Sequence, residues 1–493
     1  MLIRIDRESV IPVYEQIKEH IRGLIEAGQL KPGARLPSSR NLADTLGVNR
    51  TTVCTAYEEL EADGYLASHV GQGTYVTAPD QLVGKTSERR VAQNFTPKFS
   101  RRSDFLSTFA QRSETLTGSS RADRILFSGL TPEEDLFPVE TFRTVLNSVM
   151  RERGRELLQY GNPQGYLPLR EYISSRLVRY SISAPAEQIA IVTGSQQGID
   201  LIMRTLTDPH DRVIIESPSY GELLPVLAQY EVDVIPIPVG SRGMDLDILE
   251  QKLNEQPARL IYSMPNFHNP TGATMELADR KRLVDIVAQH KIPLVEDDYE
   301  KDLRFEGTPI VPVKALDTTG TIIYMGTFSK GLFPGVRVAW VAASREIIDR
   351  IVLAKRYSDF HTNLLMQAAI TEFCVQGHYD AHLRRLHKIY QLRRRRLLDA
   401  LKREFPDSVS WTKPDGGYAL WVTMPPQVDA EDLLLLAKEH GIFFTPGRKF
   451  YMEKDCGKSS FRLCYSRTDA EQIDEGIAIL GSLIKKLLKQ TIS

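Results

Sequence analysis

The sequence predicts a multidomain protein in which a small, mainly α-helical domain precedes a larger α/β domain. Two short helical patterns joined by Gly47-Val48 lie early in the chain, and apolar, β-branched runs alternating with helical patterns follow residue 124. Alternation of that kind indicates a mostly parallel sheet. The 493 residues are also too many for one hydrophobic core. We therefore expect a first domain over 1–78, a linker over 79–124 and a second domain over 125–493.

The first domain is predicted to form three helices and a small hairpin. Apolar residues recur at helical spacing over 12–28. Ser38 to Leu46 and Asn49 to Asp63 each begin with a residue that favours an N-cap and are each followed by glycine, a common helix terminator. Residues 65–76 contain two short β-prone runs separated by glycines. Helices joined by a tight turn and followed by a hairpin predict a winged helix-turn-helix.

The start of the third helix, Asn49-Arg50-Thr51-Thr52, carries side chains suited to DNA. A helix N-terminus offers free N–H groups to phosphate, and arginine can bind a phosphate or a guanine edge. Arg35 and Arg40 would flank the DNA backbone. Residues 1–80 carry eight Lys/Arg against eleven Asp/Glu, so DNA binding must depend on one local face. A winged helix used for protein contacts is the alternative.

Residues 13–76 resemble the GntR family of bacterial regulators. The resemblance is carried by Leu36-Pro37-Ser38-Ser39-Arg40, Leu42-Ala43, Val48-Asn49-Arg50-Thr51-Thr52-Val53, Leu60 and Asp63-Gly64-Tyr65-Leu66. Matching the DNA contacts of that family residue by residue implies contacts from Arg35, Arg40, Asn49, Arg50, Thr51, Thr52 and, in the wing, Gln72. Cys54 stands where some relatives carry an arginine, which puts one contact in doubt.

The linker is predicted to be a flexible tether, because it has little apolar periodicity. It carries nine Lys/Arg against four Asp/Glu over 81–124, a charge that could add non-specific attraction to DNA phosphates. Phe105, Leu106 and Phe109 indicate a short turn that docks on the larger domain.

Composition excludes several classes of protein. No apolar run approaches the length of a membrane span, and the N-terminus is too polar for a signal peptide. The four cysteines have neither metal-site nor disulfide-framework spacing, so we expect reduced thiols, no metal and a cytoplasmic location. The net charge of −1 indicates no particular partner.

Three segments of the second domain carry the groups that a pyridoxal 5′-phosphate (PLP) site requires. They are Asn269-Pro270-Thr271-Gly272, Glu296-Asp297-Asp298-Tyr299 and Thr327-Phe328-Ser329-Lys330. Each follows a predicted strand, and ligands bind at the carboxyl ends of parallel strands. Lys330 would supply the amine of a Schiff base, and Asp297 or Asp298 would pair with the ring nitrogen. Asn269 and Tyr299 would bind the ring oxygen.

Other residues could hold the phosphate and the ring. Gly194-Ser195-Gln196 follows a predicted strand and opens a helix, so its N–H groups can cradle a phosphate. Thr327 and Arg337 would complete the phosphate site. Tyr220 could stack on the ring.

With these motifs, residues 125–485 resemble the fold type I aminotransferases. The resemblance implies an α/β domain of that fold with PLP as cofactor. It favours Asp297 over Asp298, because Asp297 precedes Tyr299 by two residues. It also implies that Arg462 grips the α-carboxylate of a substrate or effector, and that Tyr160 reaches the phosphate in the partner subunit.

A GntR-like domain joined to an aminotransferase-like domain resembles the MocR subfamily of bacterial transcription regulators over nearly the whole chain. The resemblance implies a regulator that binds a double-stranded DNA operator and forms a domain-swapped, head-to-tail homodimer. Its effector would be a small amino compound, sensed by external aldimine formation that displaces Lys330, or PLP itself. Such a regulator need not be an enzyme, although weak transaminase activity is compatible with these residues.

Two alternatives stay open. An active aminotransferase could carry the DNA-binding domain for autoregulation, because Lys330, Asp297 and Arg462 together meet the needs of transamination. A plain GntR regulator could instead bind a ligand other than PLP in its second domain. Steady keto-acid production would identify the first alternative, and the absence of PLP on Lys330 would identify the second.

Overall fold

The structure is a computed structural model, and it describes residues 3–490 apart from positions 4, 8, 10, 70–72, 78–97, 111–123 and 454. The chain divides into two compact units, Met1–Phe99 and Ser100–Ser493. Each unit has its own hydrophobic core. Among the described residues, no helix combines the length and apolar character needed to cross a membrane.

The first unit has the predicted winged helix-turn-helix. Its elements are α1 (Val13–Glu26), α2 (Ser39–Leu46), α3 (Arg50–Ala62), β1 (Leu66–His69) and β2 (Gly73–Val76). The two strands pair antiparallel as the wing. The Ser38 side chain accepts a hydrogen bond from the Asn41 N–H at 3.2 Å, and Gly47 ends α2 in the left-handed conformation. Cap and terminator therefore set the bounds of α2, as the sequence predicted.

The second unit alternates strands and helices. Its helices are α4 (Arg101–Ala110), α5 (Val139–Leu157), α6 (Leu167–Val178), α7 (Ser195–Leu206), α8 (Leu223–Gln229), α9 (Leu246–Glu255), α10 (Leu277–His290), α11 (Arg345–Arg356), α12 (Leu364–Val375), α13 (His378–Glu404), α14 (Ala430–Glu439) and α15 (Ala470–Gln490). Its strands are β3 (Ile125–Leu126), β4 (Ile189–Val192), β5 (Arg212–Ser217), β6 (Asp233–Gly240), β7 (Gly243–Met244), β8 (Leu260–Ser263), β9 (Leu294–Asp297), β10 (Ile322–Thr327), β11 (Ala339–Ala342), β12 (Ser410–Trp411), β13 (Ala419–Thr423), β14 (Ile442–Phe443), β15 (Thr445–Pro446) and β16 (Ser460–Cys464).

An eight-stranded sheet forms the centre of this unit, with strand order β4-β11-β10-β9-β8-β5-β6-β7. All neighbours from β10 to β6 are parallel, whereas β11 is antiparallel to both of its neighbours and β7 to β6. The prediction of a mostly parallel sheet is thus confirmed. Buried apolar side chains fill both faces of the sheet, in the pattern expected of strands covered by helices on both sides.

Two strand boundaries differ from the prediction in ways that affect the site. The strand expected over 292–295 extends to Asp297, so this carboxylate belongs to the last residue of β9 and does not follow the strand. The strand expected over 336–341 begins only at Ala339. A short 3₁₀ turn and the left-handed backbone of Arg337, with φ of 53°, precede it and interrupt the extended conformation.

A second, antiparallel sheet was not predicted. Its strand order is β12-β13-β16-β15. Apolar residues from β13, β16, α13 and α15 form one buried cluster against it. Strand β16 carries Arg462, which pairs in register with Trp421 of β13.

The segment predicted as a linker is partly helical. Helix α4 belongs to the second unit and contacts α8. The Arg102 guanidinium lies 3.3 Å from a Glu231 carboxylate oxygen. Leu106 lies on this helix, where a docking turn was expected, and the side chains of Phe105 and Phe109 lie outside the described residues.

Candidate functional site

A cavity of about 360 Å³ opens at the carboxyl ends of the parallel strands. Ten residues that the sequence analysis selected line it: Ser195, Gln196, Tyr220, Asn269, Asp297, Tyr299, Thr327, Lys330, Arg337 and Arg462. They come from the ends of β4, β5, β8, β9 and β10 and from β16. The fold therefore assembles groups that lie far apart in the sequence.

Lys330 is held through both its side chain and its backbone. Its Nζ donates a hydrogen bond to the Leu130 carbonyl oxygen at 2.5 Å. Its own carbonyl oxygen accepts a hydrogen bond from the Tyr418 hydroxyl at 2.6 Å. Burial lowers the pKa of the Lys330 amine, because an ammonium ion is poorly solvated there. A lowered pKa increases the fraction of neutral amine, which is the nucleophilic form.

Asp297 presents an unused carboxylate oxygen. Its Oδ2 accepts a hydrogen bond from the Tyr262 hydroxyl at 2.6 Å, whereas Oδ1 is buried and has no partner among the described residues. Burial raises the pKa of Asp297 to about 6. The neighbouring Asp298 does not line this cavity, and its two oxygens accept hydrogen bonds from Asn266 and Tyr324. The geometry thus favours Asp297 as the partner of a protonated ring nitrogen.

Part of the cavity wall that would surround the cofactor ring is formed by Tyr220, Asn269 and Tyr299. The Tyr299 hydroxyl donates to the Phe267 carbonyl oxygen at 2.8 Å, which leaves its oxygen able to accept a further hydrogen bond. The Asn269 Oδ1 accepts from Arg462 Nη1 at 2.7 Å. Burial raises the pKa of Tyr220 above its ordinary value, so this phenol stays neutral.

One end of the cavity is suited to an anion. Helix α7 begins there with Ser195 and Gln196, and a helix N-terminus favours a bound phosphate. Arg337 Nη2 donates to the Thr193 carbonyl oxygen at 3.2 Å beside this terminus. A Cβ on Gly194 would lie 2.2 Å from Arg337 Nη2, and Gly194 has φ of 85°. Only glycine therefore permits this approach of the arginine.

Arg462 is a buried cation with no carboxylate partner in the part of the chain that the structure describes. Its side chain donates from Nη2 to the Ser128 carbonyl oxygen at 2.9 Å and lies over the Phe450 ring at 5.0 Å. Within the described part of the chain it forms no ion pair, and its Nε has no hydrogen-bond partner. A guanidinium in that position can bind a ligand carboxylate.

Tyr160 does not line the cavity. Its side chain is 83% exposed and contacts the rings of Phe360 and His361, with centroids 5.5 and 5.9 Å away. From its resemblance to the aminotransferases, Tyr160 is predicted to reach the cofactor phosphate of a partner subunit. That assignment stays a prediction.

Several residues that position the site were not predicted. Tyr262 donates to Asp297, Tyr418 donates to Lys330, and the carbonyl oxygens of Ser128 and Leu130 accept from Arg462 and Lys330. Tyr262 lies in a run recognised as a strand, but nothing in that run indicates which carboxylate its hydroxyl reaches. The two carbonyl groups carry no sequence signal at all.

The N-terminus of α3 presents the predicted DNA-contacting residues at the surface. Arg35, Arg40, Asn49, Arg50 and Thr51 are exposed and Thr52 is partly buried, whereas Gln72 lies outside the described residues. The Asn49 side chain accepts from the Thr51 N–H at 2.9 Å, so it also caps α3. Arg50 Nε lies 3.4 Å from the Ser39 hydroxyl, which orients the guanidinium between α2 and α3.

Comparisons with known families identify both units. Residues 132–480 match the aminotransferase class I and II family, and residues 13–76 match the gntR family of bacterial regulatory proteins. The chain therefore belongs to the aminotransferase class I and II family and carries a GntR-type DNA-binding domain. This combination places it in the MocR subfamily of GntR-type regulators.

One relative aligns with nearly the whole chain, and another aligns with three quarters of it. The chain is 32% identical to a probable rhizopine catabolism regulatory protein, MocR, of Rhizobium meliloti, over 98% of this chain and 95% of the relative. It is also 36% identical to aromatic-amino-acid aminotransferase 1 of Thermococcus litoralis, over 75% of this chain and 90% of the relative. The first alignment includes the DNA-binding domain, whereas the second covers three quarters of the chain.

The solved structure of a similar protein supports PLP as the cofactor. The α-aminoadipate aminotransferase LysN of Thermus thermophilus, complexed with N-(5′-phosphopyridoxyl)-L-leucine, is 32% identical with a TM-score of 0.74. The match covers 80% of this chain and 98% of that protein. The prediction of PLP as the cofactor is confirmed at the level of the family. The residues present fit the group, because the cavity joins an unpartnered Asp297 oxygen, a lysine amine and an anion-binding helix terminus.

Proposed function

We propose that this GntR-type regulator uses its aminotransferase-like unit as a PLP-dependent sensor of an amino compound or of PLP itself. The observation that carries the proposal is the cavity in which Lys330, Asp297 and Arg462 meet. A bare ligand pocket would not need a buried lysine opposite a buried aspartate with a free oxygen. Those groups match the aldehyde and the ring nitrogen of PLP.

PLP, when bound, supplies an aldehyde carbon that a primary amine attacks and a ring that withdraws electrons. The roles of the protein groups follow from their positions. Lys330 would present the amine that condenses with the aldehyde with loss of water, and Asp297 would accept a hydrogen bond from the protonated ring nitrogen. The N-terminus of α7 and Arg337 bind the phosphate and orient the ring.

Arg462 gives the sensor its selectivity for an acid group. Its guanidinium already lies beside Asn269 and over Phe450, so its orientation is set before a ligand arrives. An amino compound with a carboxylate would place its amine near Lys330 and its acid on Arg462. A compound without an acid group would leave this buried cation unpaired, which is costly.

Regulation requires that the ligand change the affinity for DNA. A ligand shifts an equilibrium between two conformations only by the difference of its affinities for them. We infer that the two states differ in the spacing of two DNA-binding units within a domain-swapped, head-to-tail homodimer. The exposed Arg35, Arg40, Arg50 and Thr51 side chains would then contact two half-sites of a double-stranded operator.

A test of the proposal is footprinting of the DNA upstream of the gene with ligand-free protein, with PLP, and with PLP plus amino compounds. We expect protection whose extent or strength changes on addition of PLP or of an amino acid. Protection that is identical in all three samples would contradict sensing through this cavity.

An active aminotransferase is the second candidate function. It is favoured by the complete set of Lys330, Asp297 and Arg462 in one cavity. The discriminating measurement mixes PLP-loaded protein with amino acids and a keto acid. Steady keto-acid production near or above roughly 1 s⁻¹, an ordinary enzyme rate, would favour the enzyme over the sensor.

A further inference from the structure

A buried carboxylate next to Lys330 has no part in the site described so far. Glu300 is 2% exposed and follows β9 closely. Glu300 and Lys330 both line a second, smaller cavity of about 20 Å³. That volume holds about one water molecule. Lys330 therefore borders two spaces, the large cavity on one side and the small one shared with Glu300 on the other.

The backbone at Gly417 is shaped to hold this carboxylate. A Cβ on Gly417 would lie 2.6 Å from Glu300 Oε2, and Gly417 has φ of 73°. The Tyr418 N–H donates to the same oxygen at 3.3 Å. Because the Tyr418 hydroxyl donates to the Lys330 carbonyl oxygen, one residue fixes both Glu300 and Lys330.

The other oxygen of Glu300 lacks a partner. Its Oε1 is buried and accepts no hydrogen bond from the described residues. Such an oxygen costs free energy unless a donor reaches it. Burial raises the pKa of Glu300 to about 7, and the positive charge of Lys330 is the largest opposing influence.

Other cations around the small cavity are already paired. Arg176 lies 3.1 Å from an Asp302 oxygen, and Lys301 Nζ lies 3.4 Å from an Asp298 oxygen. The remaining charged and titratable groups that act on Glu300 and Lys330 from the packed elements are Asp297, Tyr299, Tyr418, Arg462, Cys464 and Tyr465. Arg462 donates from its two Nη atoms to Asn269 and Ser128 and does not line the small cavity, whereas Lys330 does.

We propose that Glu300 is the counter-ion of Lys330: its carboxylate, which shares the small cavity with Lys330, favours the ammonium form of the free amine. This inference rests on the proposed function, in which Lys330 is the amine of the PLP site. The pair stabilises the state in which Lys330 is not bonded to the cofactor, which is the state that an amino compound produces. Glu300 is thus a positioning residue that biases the sensor toward its effector-bound form.

The test uses ligand-free, full-length protein and its Glu300→Gln variant. Reductive methylation by formaldehyde and cyanoborohydride is followed at the Lys330 peptide by mass spectrometry across neutral and alkaline pH. A neighbouring carboxylate raises an amine pKa by about one pH unit or more. We therefore expect Lys330 in the variant to react roughly tenfold faster at pH values below the amine pKa, with equal rates at alkaline pH.

Two further variants control the result. Glu300→Asp keeps the charge but shortens the side chain, so its pH profile should lie between those of the parent and Glu300→Gln. Glu216→Gln removes another buried carboxylate, whose oxygens accept from Ser263 and Met264, and should leave the Lys330 profile unchanged.

Identical Lys330 profiles in the parent and Glu300→Gln would overturn the proposal. If Glu300→Gln does not fold, a Glu300→Asp profile identical to that of the parent would overturn it instead. Failure of the proposed function has a different signature: the profile would shift between variants, yet borohydride would trap no PLP on Lys330.

Discussion

The two functional regions of this protein place their polar groups in opposite ways. Around the cavity, Asp297 and Arg462 are buried, and each keeps one atom without a partner among the described residues. At the start of α3, Arg50 and Thr51 are exposed to solvent. Burial makes an unpartnered atom informative, because leaving it so costs free energy that a ligand can recover. Exposed groups carry no such cost.

The two regions are therefore recognised by different physical features. Geometry indicates the PLP site, since separate strand ends place complementary groups around one cavity. The helix-turn-helix motif and an accessible helix N-terminus indicate the DNA-binding region. The predictions that follow test whether the buried region and the exposed region can be altered independently.

The largest expected effect is that of Lys330→Ala. Without its amine the protein cannot bond to PLP, so the visible absorbance of lysine-bound PLP should disappear completely. Operator binding by ligand-free protein should be unchanged, since the DNA-binding residues lie in the other unit. Absorption spectra and gel-shift titrations measure the two effects.

Lys449→Ala is the matched control for that variant. Lys449 lines the same cavity but follows a different strand, β15. Its removal should leave the absorbance in place. Absorbance that survives Lys330→Ala and disappears in Lys449→Ala would show that the cofactor is bonded to a different lysine from the one proposed.

Arg50→Ala should affect only the exposed region. Loss of a base or phosphate contact weakens operator binding by about 1–3 kcal/mol, which is roughly fivefold to 150-fold. PLP absorbance should not change. Glu58→Ala, an exposed position on the same helix, serves as the control and should bind the operator as the parent does or more tightly. Parent-like affinity in Arg50→Ala would show that α3 does not read DNA in this way.

Gly194→Ala should weaken PLP binding by roughly tenfold, or about 1.4 kcal/mol. The added Cβ would collide with Arg337 Nη2, and the φ of 85° strains any residue other than glycine. Titration of ligand-free protein with PLP measures the affinity. Gly240→Ala provides the comparison, because no atom lies within 4 Å of the added Cβ and PLP affinity should stay that of the parent.

Tyr262→Phe has the smallest expected effect, about 1 kcal/mol or roughly fivefold in PLP affinity. The substitution should also shift the pH at which PLP affinity falls. Asp297 binds the protonated ring nitrogen as a carboxylate, so PLP affinity should fall as pH drops through about 6, where Asp297 becomes protonated. The Tyr262 hydroxyl lowers the pKa of Asp297. Its removal should move the fall in affinity to higher pH, and a fall at unchanged pH would argue against Asp297 as the ring partner.

Local chemistry accounts for what could be predicted from the sequence. Ser38, Gly47 and Asn49 set helix ends through their own side chains or backbone freedom, so the winged helix could be located closely. The apolar strands of the central sheet were recognisable, and they brought nine predicted residues into one cavity, which Arg462 joins from the second sheet.

Long-range contacts account for what could not be predicted. Glu300 can be linked to Lys330 only in the folded structure, where the end of β9 and the turn at Gly417 place both side chains around one small cavity. The hydroxyl of Tyr262 meets Asp297 only because β8 and β9 are neighbours. Such pairings depend on strand order and register, which no short motif encodes.

The central claim is that Lys330 carries PLP in a protein that also binds DNA. The most direct measurement reduces PLP-supplied protein with borohydride and locates the added mass on the intact chain and its peptides. We predict one phosphopyridoxyl group per chain, on the Lys330 peptide. An unmodified chain, or the group on another lysine, would contradict the account.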